Sequence, residues 1–388
     1  MRNFVIIVVT LAIALTARGD EIADSRKLQQ EALAAYRAHD SATFLTKIAA
    51  ASALRPQHPT MLWQLAIAQT LNGQRDQAFV TLERVANFGF VYPIEKEEEL
   101  ATLRDDPRYP AIEERFANNA QPHGRASLAF TVDEKGIVPE GLAYDATTGR
   151  FYIGAVKGKR ILDDRGRTLV ETQYGVFGLA VDAKRRLLWA ATSNEEQSAL
   201  IAVDLRTRRI VKTIAPSDNA KHHFGDLTLG DTVYVSDGAA NTIWCVEDDA
   251  LVPFARGRFA SLQGLAIDGH TLYASDYTKG LFAIDLRTRD IAALRTDASL
   301  LGVDGIYRAA PRTLIAVQNG TNPARILRLR VSGANVRAET LLANDARMTD
   351  PTLGVIANGR FHFNANAQWE AKPGDTLEAV RVLSIALH

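Results

Sequence analysis

The period of apolar and polar positions changes twice along the chain and divides it into three stretches. Phe4 to Leu15 is an unbroken apolar run behind Met1-Arg2-Asn3, with Thr16-Ala17 after it. From Glu21 to about Asn119 apolar residues recur at three- and four-residue spacings, which predicts helices. Leu28, Ala32, Ala35 and Tyr36 share one face, and Arg55-Pro56 ends that helix pair. Leu62, Leu65, Ala66 and Leu71 begin the next pair, Asn72-Gly73 turns it, and Ala78, Leu82 and Val85 complete it. A third, degenerate pair is expected from Pro93 to Asn119, with Glu95 to Glu99 as a solvated helical face. After Gln121-Pro122-His123-Gly124 the period becomes two, as in half-buried strands.

In this last stretch one motif recurs. It reads Glu140-Gly141-Leu142-Ala143-Tyr144-Asp145, then Phe177-Gly178-Leu179-Ala180-Val181-Asp182, then Gln263-Gly264-Leu265-Ala266-Ile267-Asp268. Looser copies are Gly225-Asp226-Leu227, Asp304-Gly305-Ile306 and Thr352-Leu353-Gly354-Val355. Each precedes a turn and an apolar strand such as Leu188-Trp189-Ala190 or Leu272-Tyr273-Ala274. A second hairpin repeats almost word for word, as Val203-Asp204-Leu205-Arg206-Thr207-Arg208 and Ile284-Asp285-Leu286-Arg287-Thr288-Arg289. Six copies at a spacing of about 40 residues predict a six-bladed β-propeller, residues 121–388. The strand Ala379 to Ala386 is expected to pair with Ser127 to Val132 and close the ring. The glycines suit a close approach of backbones near the axis.

The first run has the makeup of a secretory signal, residues 1–17, and is too short for a spanning helix of about 20 residues. No later segment could span a membrane. The expected location is the periplasm or the exterior. The lone Cys245 excludes an internal disulfide, and its apolar setting predicts a buried inert thiol. The 45 basic and 45 acidic side chains balance, which argues against a broad nucleic-acid surface. Ala32 and Ala66 lie about 34 residues apart, the tetratricopeptide period, so residues 21–119 resemble that repeat over roughly 70 residues. Such repeats bury their faces on neighbours, so this segment is expected to pack either on the following domain or on a protein partner. The fold class is therefore α+β and multidomain, an α-helical repeat segment followed by the propeller.

No Gly-x-Ser-x-Gly, His-Glu-x-x-His or phosphate-binding loop is present, so any chemistry falls to side chains converging on the channel. The residue before each motif glycine should face the axis. These are Glu140, Phe177, Gly225 (with Asp226 beside it), Gln263, Asp304 and Asp350. Oxygen donors in a ring suit a hard divalent cation such as calcium. Glu140 and Asp304 paired with arginine or backbone amides, and Gln263 as a plain lining residue, is the alternative. Asn319, Asn364 and Asn366 are further candidates for the channel lining, and Asp237 and Asp276 for turn caps. His222 and His223 stand at the entry to the third blade. A general base is one reading of them, and a solvated loop pair is the plainer one.

The Gly-Leu-Ala-x-Asp strand followed by Tyr-x-Ser-Asp is similar to the regucalcin, gluconolactonase and strictosidine synthase-like superfamily, over about 260 residues from Gln121. That resemblance implies one divalent ion held by a glutamate, an asparagine and an aspartate. Glu140 and Asp304 match two of these, and the aspartate is also the proton acceptor. Gln263 replaces the expected asparagine. Gly225 replaces a further one, and Asp226 matches the acid after it as an alternative acceptor. Two functions follow as expectations. One is a metal-dependent lactone or ester hydrolase acting on a small molecule in the channel. The other is a non-catalytic scaffold binding a ligand or a protein.

Overall fold

In the computed structural model, residues 21–387 are described, and the expected signal segment lies outside them. Among the described residues no helix is long and apolar enough to cross a membrane. The chain divides into two compact units. One holds residues 21–85 and 96–110, the other residues 86–95 and 111–387.

The first unit is built on α1 (Glu21–Arg37), α2 (Ser41–Leu54), α3 (Pro59–Leu71) and most of α4 (Arg75–Asn87). Local chemistry fixes the starts. Asp40 accepts from the Thr43 amide at the head of α2, and Pro59 opens α3 where its missing N–H costs nothing. Ala32, Phe44, Ile48, Ala51, Met61, Ala66 and Leu82 are buried. The segment after Pro93 departs from the expected helix pair. It forms two 3₁₀ stretches, Ile94–Lys96 and Glu98–Leu103, before α5 (Tyr109–Asn119). The acidic run is not simply solvated either. Glu97 accepts from the Trp63 indole, and Glu99 accepts from the Tyr36 hydroxyl. Like charges four positions apart disfavour a regular helix here, and fixed donors draw the carboxylates inward.

The second unit carries six four-stranded antiparallel sheets. Blades I to V begin with the strands Pro139–Asp145, Gly175–Asp182, Phe224–Leu229, Leu262–Asp268 and Val303–Ala310. Blade VI begins with Gly354–Ala357, and its outermost strand is Ser127–Lys135, paired antiparallel with Ala379–Ala386. Joining an early strand to the last one closes the ring, as the sequence leads one to expect. The six first strands neighbour one another in a circle, with blade VI against blade I. A buried apolar cluster fills each gap between blades, such as Ile243, Phe254, Leu265 and Phe282 between III and IV. Cys245 lies in that cluster, its thiol raised to about 11 chiefly by burial.

The repeated hairpin has a local cause. Asp204 Oδ1 accepts from the amides of Arg206 and Thr207, and Asp285 Oδ1 from those of Arg287 and Thr288. Residues 86–95 are held to blade V by Arg325, which is buried. Its guanidinium donates to Phe88 O (2.6 Å) and to Gln318 Oε1 (2.6 and 3.0 Å), and burial lowers its pKa to about 10.

Candidate functional site

The first strands of blades I to V share one irregularity. Their pairing slips between Pro139 and Leu142, Val176 and Leu179, Phe224 and Leu227, Leu262 and Leu265, and Val303 and Ile306. The residues inside these bulges are the motif dipeptides Glu140-Gly141, Phe177-Gly178, Gly225-Asp226, Gln263-Gly264 and Asp304-Gly305. A bulge frees two residues from the ladder and re-aims the first of them. The glycine is a matter of space. A Cβ on Gly141 would stand 2.0 Å from Phe177 O, and one on Gly264 2.5 Å from Asp304 O. Serines secure the bulges from the neighbouring strand. Ser236 Oγ accepts from the Asp226 amide, and Ser275 Oγ accepts from the Gly264 amide and donates to Asp304 O.

Five bulge residues, Glu140, Phe177, Gly225, Gln263 and Asp304, converge on one cavity of about 240 Å³. His223, Tyr277, Asn319, Leu353 and Trp369 complete its wall, with no lysine or arginine among them. The first strand of blade VI pairs without a bulge, and there Leu353 takes the place expected of Asp350. Asp350 sits in the preceding loop, where it accepts from the Trp369 amide. Asp226 is not brought to this cavity. Its two oxygens accept from the amides of Leu227 and Leu265, tying blade III to blade IV. It lines a second cavity of about 300 Å³ further along the strands, walled by Leu142, Leu179, Leu265 and Ile306. Burial and then Asp304 raise its pKa to about 7, against the pull of the two amides.

The two carboxylates at the mouth meet neutral partners. Glu140 Oε2 accepts from Trp369 Nε1 (2.9 Å), and Asp304 Oδ2 accepts from Asn319 Nδ2 (2.8 Å). Glu140 is buried, and its pKa is pushed far above the usual range by burial and then by Asp304. Burial likewise raises Asp304, to about 6, with Asp350 adding to it and Asn319 opposing. Pairing with arginine is thus not what the structure shows. Of the other asparagines, Asn364 donates to Glu140 O, and Asn366 donates to Ala379 O.

The histidines are not a solvated pair. His222 is buried, with Nδ1 2.5 Å from Asp237 Oδ2 and Nε2 2.7 Å from Asp218 Oδ1. Asp237 also caps the amides of His223, Ala239 and Ala240 and accepts from the Trp244 indole, so it serves structure. Asp276 does the same for Ala260, Ser261, Thr278 and Lys279. Burial opposes the charge of His222, but the two carboxylates outweigh it and its pKa is raised. His223 lines the cavity edge-on to Phe177, and burial lowers its pKa. A test follows from Trp244, whose ring lies 5.6 Å from the His222 ring. A proton on His222 quenches this indole, so its fluorescence should rise with pH at a midpoint above the ordinary histidine value of about 6.5. The stability that the charged clamp adds is full below that ordinary value and is lost as pH rises through the raised one. Asp218→Asn should move the midpoint down, and an unmoved midpoint would remove Asp218 from the clamp.

Sequence reasoning misses Tyr277 and Trp369. Tyr277 follows the Tyr-x-Ser-Asp strand directly, and that position is readable. Trp369 lies in a long loop of blade VI that belongs to no repeat, so no pattern marks it.

The structure thus belongs to the class of six-bladed β-propellers, preceded by a few helices. No protein-family model and no curated protein matches the chain. Among solved structures it is similar to a proposed oxidoreductase (glucose dehydrogenase) from Thermus thermophilus, at 17% identity over 67% of this chain and 99% of that one, TM-score 0.48. It is also similar to a gluconolactonase from Xanthomonas campestris, at 16% identity over 69% of this chain and 92% of that one, TM-score 0.49.

Proposed function

We propose that the channel mouth is the hydrolytic site of a lactonase or esterase acting on a small, uncharged ester. One observation carries this reading. Glu140 and Asp304 come from blades I and V, line one cavity, and have no lysine or arginine among the other lining residues, where the one histidine, His223, has its pKa lowered by burial. A buried acid pair of this kind needs a proton or a cation.

The donor set suits a hard cation, being two carboxylates and the Gln263 amide with no thiolate. No cluster of three or more acidic, histidine or cysteine ligands occurs among the described residues, so an ion here would rely on the amide. A divalent ion such as calcium, held by Glu140, Gln263 and Asp304, would polarise the ester carbonyl and acidify a bound water. The chain's own residues have separate tasks. Asp304, with a pKa of about 6, is ionised at neutral pH and takes the proton of the attacking water. Asn319 fixes its orientation through Oδ2. Phe177, Tyr277 and Trp369 offer aromatic faces to a ring and displace water. Asp226, held by two backbone amides, braces blades III and IV and takes no part in the proton transfer.

The test is hydrolysis of a panel of γ- and δ-lactones and aryl esters, followed by proton release with and without calcium. Turnover that needs the cation and is lost in Asp304→Asn is expected. No turnover of any member would refute the reading.

A second reading, ligand binding without turnover, is favoured by Gly225. A Cβ there would find its nearest neighbours at 3.7 and 3.8 Å, Ser236 Oγ and Gln263 Oε1, so room for a further ligating side chain stands open. Under this reading the helical unit is the docking module for a protein partner. Tight binding of a small ester that is returned intact would favour it.

A further inference from the structure

Trp369 combines three properties. It is 39% exposed, whereas Trp63, Trp189 and Trp244 are buried. It nevertheless lines the mouth cavity. It touches three parts of the ring, with its indole N–H on Glu140 of blade I, its ring stacked over Phe177 of blade II at 6.3 Å, and its amide on Asp350 before blade VI.

The segment that carries it is built to move as one piece. Gln368, with a left-handed φ of 61°, closes the base of the loop by exchanging hydrogen bonds with the Glu378 backbone. Beyond that base the tip bonds to itself. Ala371 N donates to Gln368 O, Lys372 N to Asp375 Oδ2, and Asp375 N to Lys372 O. Among the described residues, the hydrogen bonds between positions 369–376 and parts of the chain outside the Gln368–Glu378 loop are the two made by Trp369, to Asp350 and Glu140. The tip residues Lys372 to Thr376 are exposed. A self-contained loop on a closed stem, fastened to the ring by one side chain and its amide, is a flap with a single latch.

We infer that Trp369 is the gate of the channel-mouth site. Its indole covers the cavity and occupies Glu140. Entry of a ligand requires the 369–376 flap to swing outward and release that carboxylate. The inference rests on the mouth being the functional site, but it requires neither turnover nor a bound ion. It adds a constraint on the ligand, which must present a flat face to the Phe177–Trp369 pair once the flap recloses.

The experiment reads the flap and the carboxylate separately, on the full chain in chelating buffer so that no cation masks Glu140. Amide exchange is followed at Trp369, Ala371, Lys372 and Asp375. Glu140 is labelled with a carbodiimide and glycine ethyl ester. In Trp369→Ala, exchange across the flap and labelling of Glu140 should each rise at least tenfold. The buried Asp276 of blade IV should stay unreactive, and exchange in strand Val303–Ala310 should not change. Trp369→Phe keeps the ring on Phe177 but loses the N–H, and should fall between wild type and alanine. Unchanged flap exchange or unchanged Glu140 labelling in Trp369→Ala would overturn the gate. So would labelling of Asp276 in step with Glu140, because the tryptophan would then be a general packing element. Failure of lactone hydrolysis leaves every one of these readouts intact, so the two proposals fail separately.

Discussion

Asp304→Asn is expected to lose hydrolysis by a factor of about 10² to 10⁴ in kcat/KM while raising the melting temperature of the cation-free protein. The loss follows from removing the proton acceptor and a cation ligand together. The gain follows from the raised pKa. An aspartate whose pKa goes from 3.8 to about 6 on folding binds its proton more tightly in the native state. Its ionisation therefore destabilises the fold, beginning near pH 4 and reaching its full extent above about pH 6. Two pKa units correspond to about 3 kcal/mol at most, and because Asp304 keeps a partly open face toward the cavity the expected gain is about 1–2 kcal/mol. Asparagine can still accept from Asn319, so packing is kept. Glu140→Gln should act the same way, since burial and Asp304 both oppose its charge. Thermal melts at pH 4 and pH 7.5 check the sign. The stabilisation by Asp304→Asn should appear at pH 7.5 and vanish at pH 4, and calcium should stabilise the wild type alone. A variant destabilised at both pH values would show that the carboxylate holds the mouth together.

Gly141→Ala is expected to be severely damaging, with a loss of about 3 kcal/mol or more, or no folded protein. The added carbon would stand 2.0 Å from Phe177 O, and a backbone carbonyl in a packed sheet has nowhere to go. The strand of blade I or of blade II must shift, and either shift opens the ring beside Glu140. Gly333→Ala is the control. Its φ of 58° is left-handed, but nothing lies within 4 Å of the added carbon, so the cost is backbone strain of about 1 kcal/mol. Chemical denaturation of the two variants separates crowding from strain. Equal losses would mean that the bulge glycines are required by conformation and not by the neighbouring blade's approach.

Much of this architecture is legible in the sequence because the propeller repeats itself. Six motif copies give six blades, and the dipeptide at each bulge points to Glu140, Gln263 and Asp304 as a group. The ring closure is readable from the leftover strands at Ser127 and Ala379. What cannot be read is whatever the repeat does not contain. Asp350 reads as an axis residue by analogy with its neighbours, but the first strand of the sixth blade lacks the bulge and Leu353 faces the mouth. Asp226 reads as an acid of the same cavity as Glu140 and Asp304, yet its register within the bulge turns it onto the amides of Leu227 and Leu265, beside the second cavity. The helical period past Pro93 gives way to 3₁₀ turns because Glu97 and Glu99 find donors in Trp63 and Tyr36, residues far away in the chain. His222 reads as a surface residue until Asp218 and Asp237 are seen on its two nitrogens.

Glu140 and Asp304 are proposed to form one cation-dependent site. Isothermal titration of the chelator-stripped protein with calcium tests it most directly, alongside Glu140→Gln and Asp304→Asn at pH 7.5. One saturable site per chain is expected in the wild type and none in either variant, with both variants folded. No binding to the wild type, or equal binding to all three proteins, would contradict it.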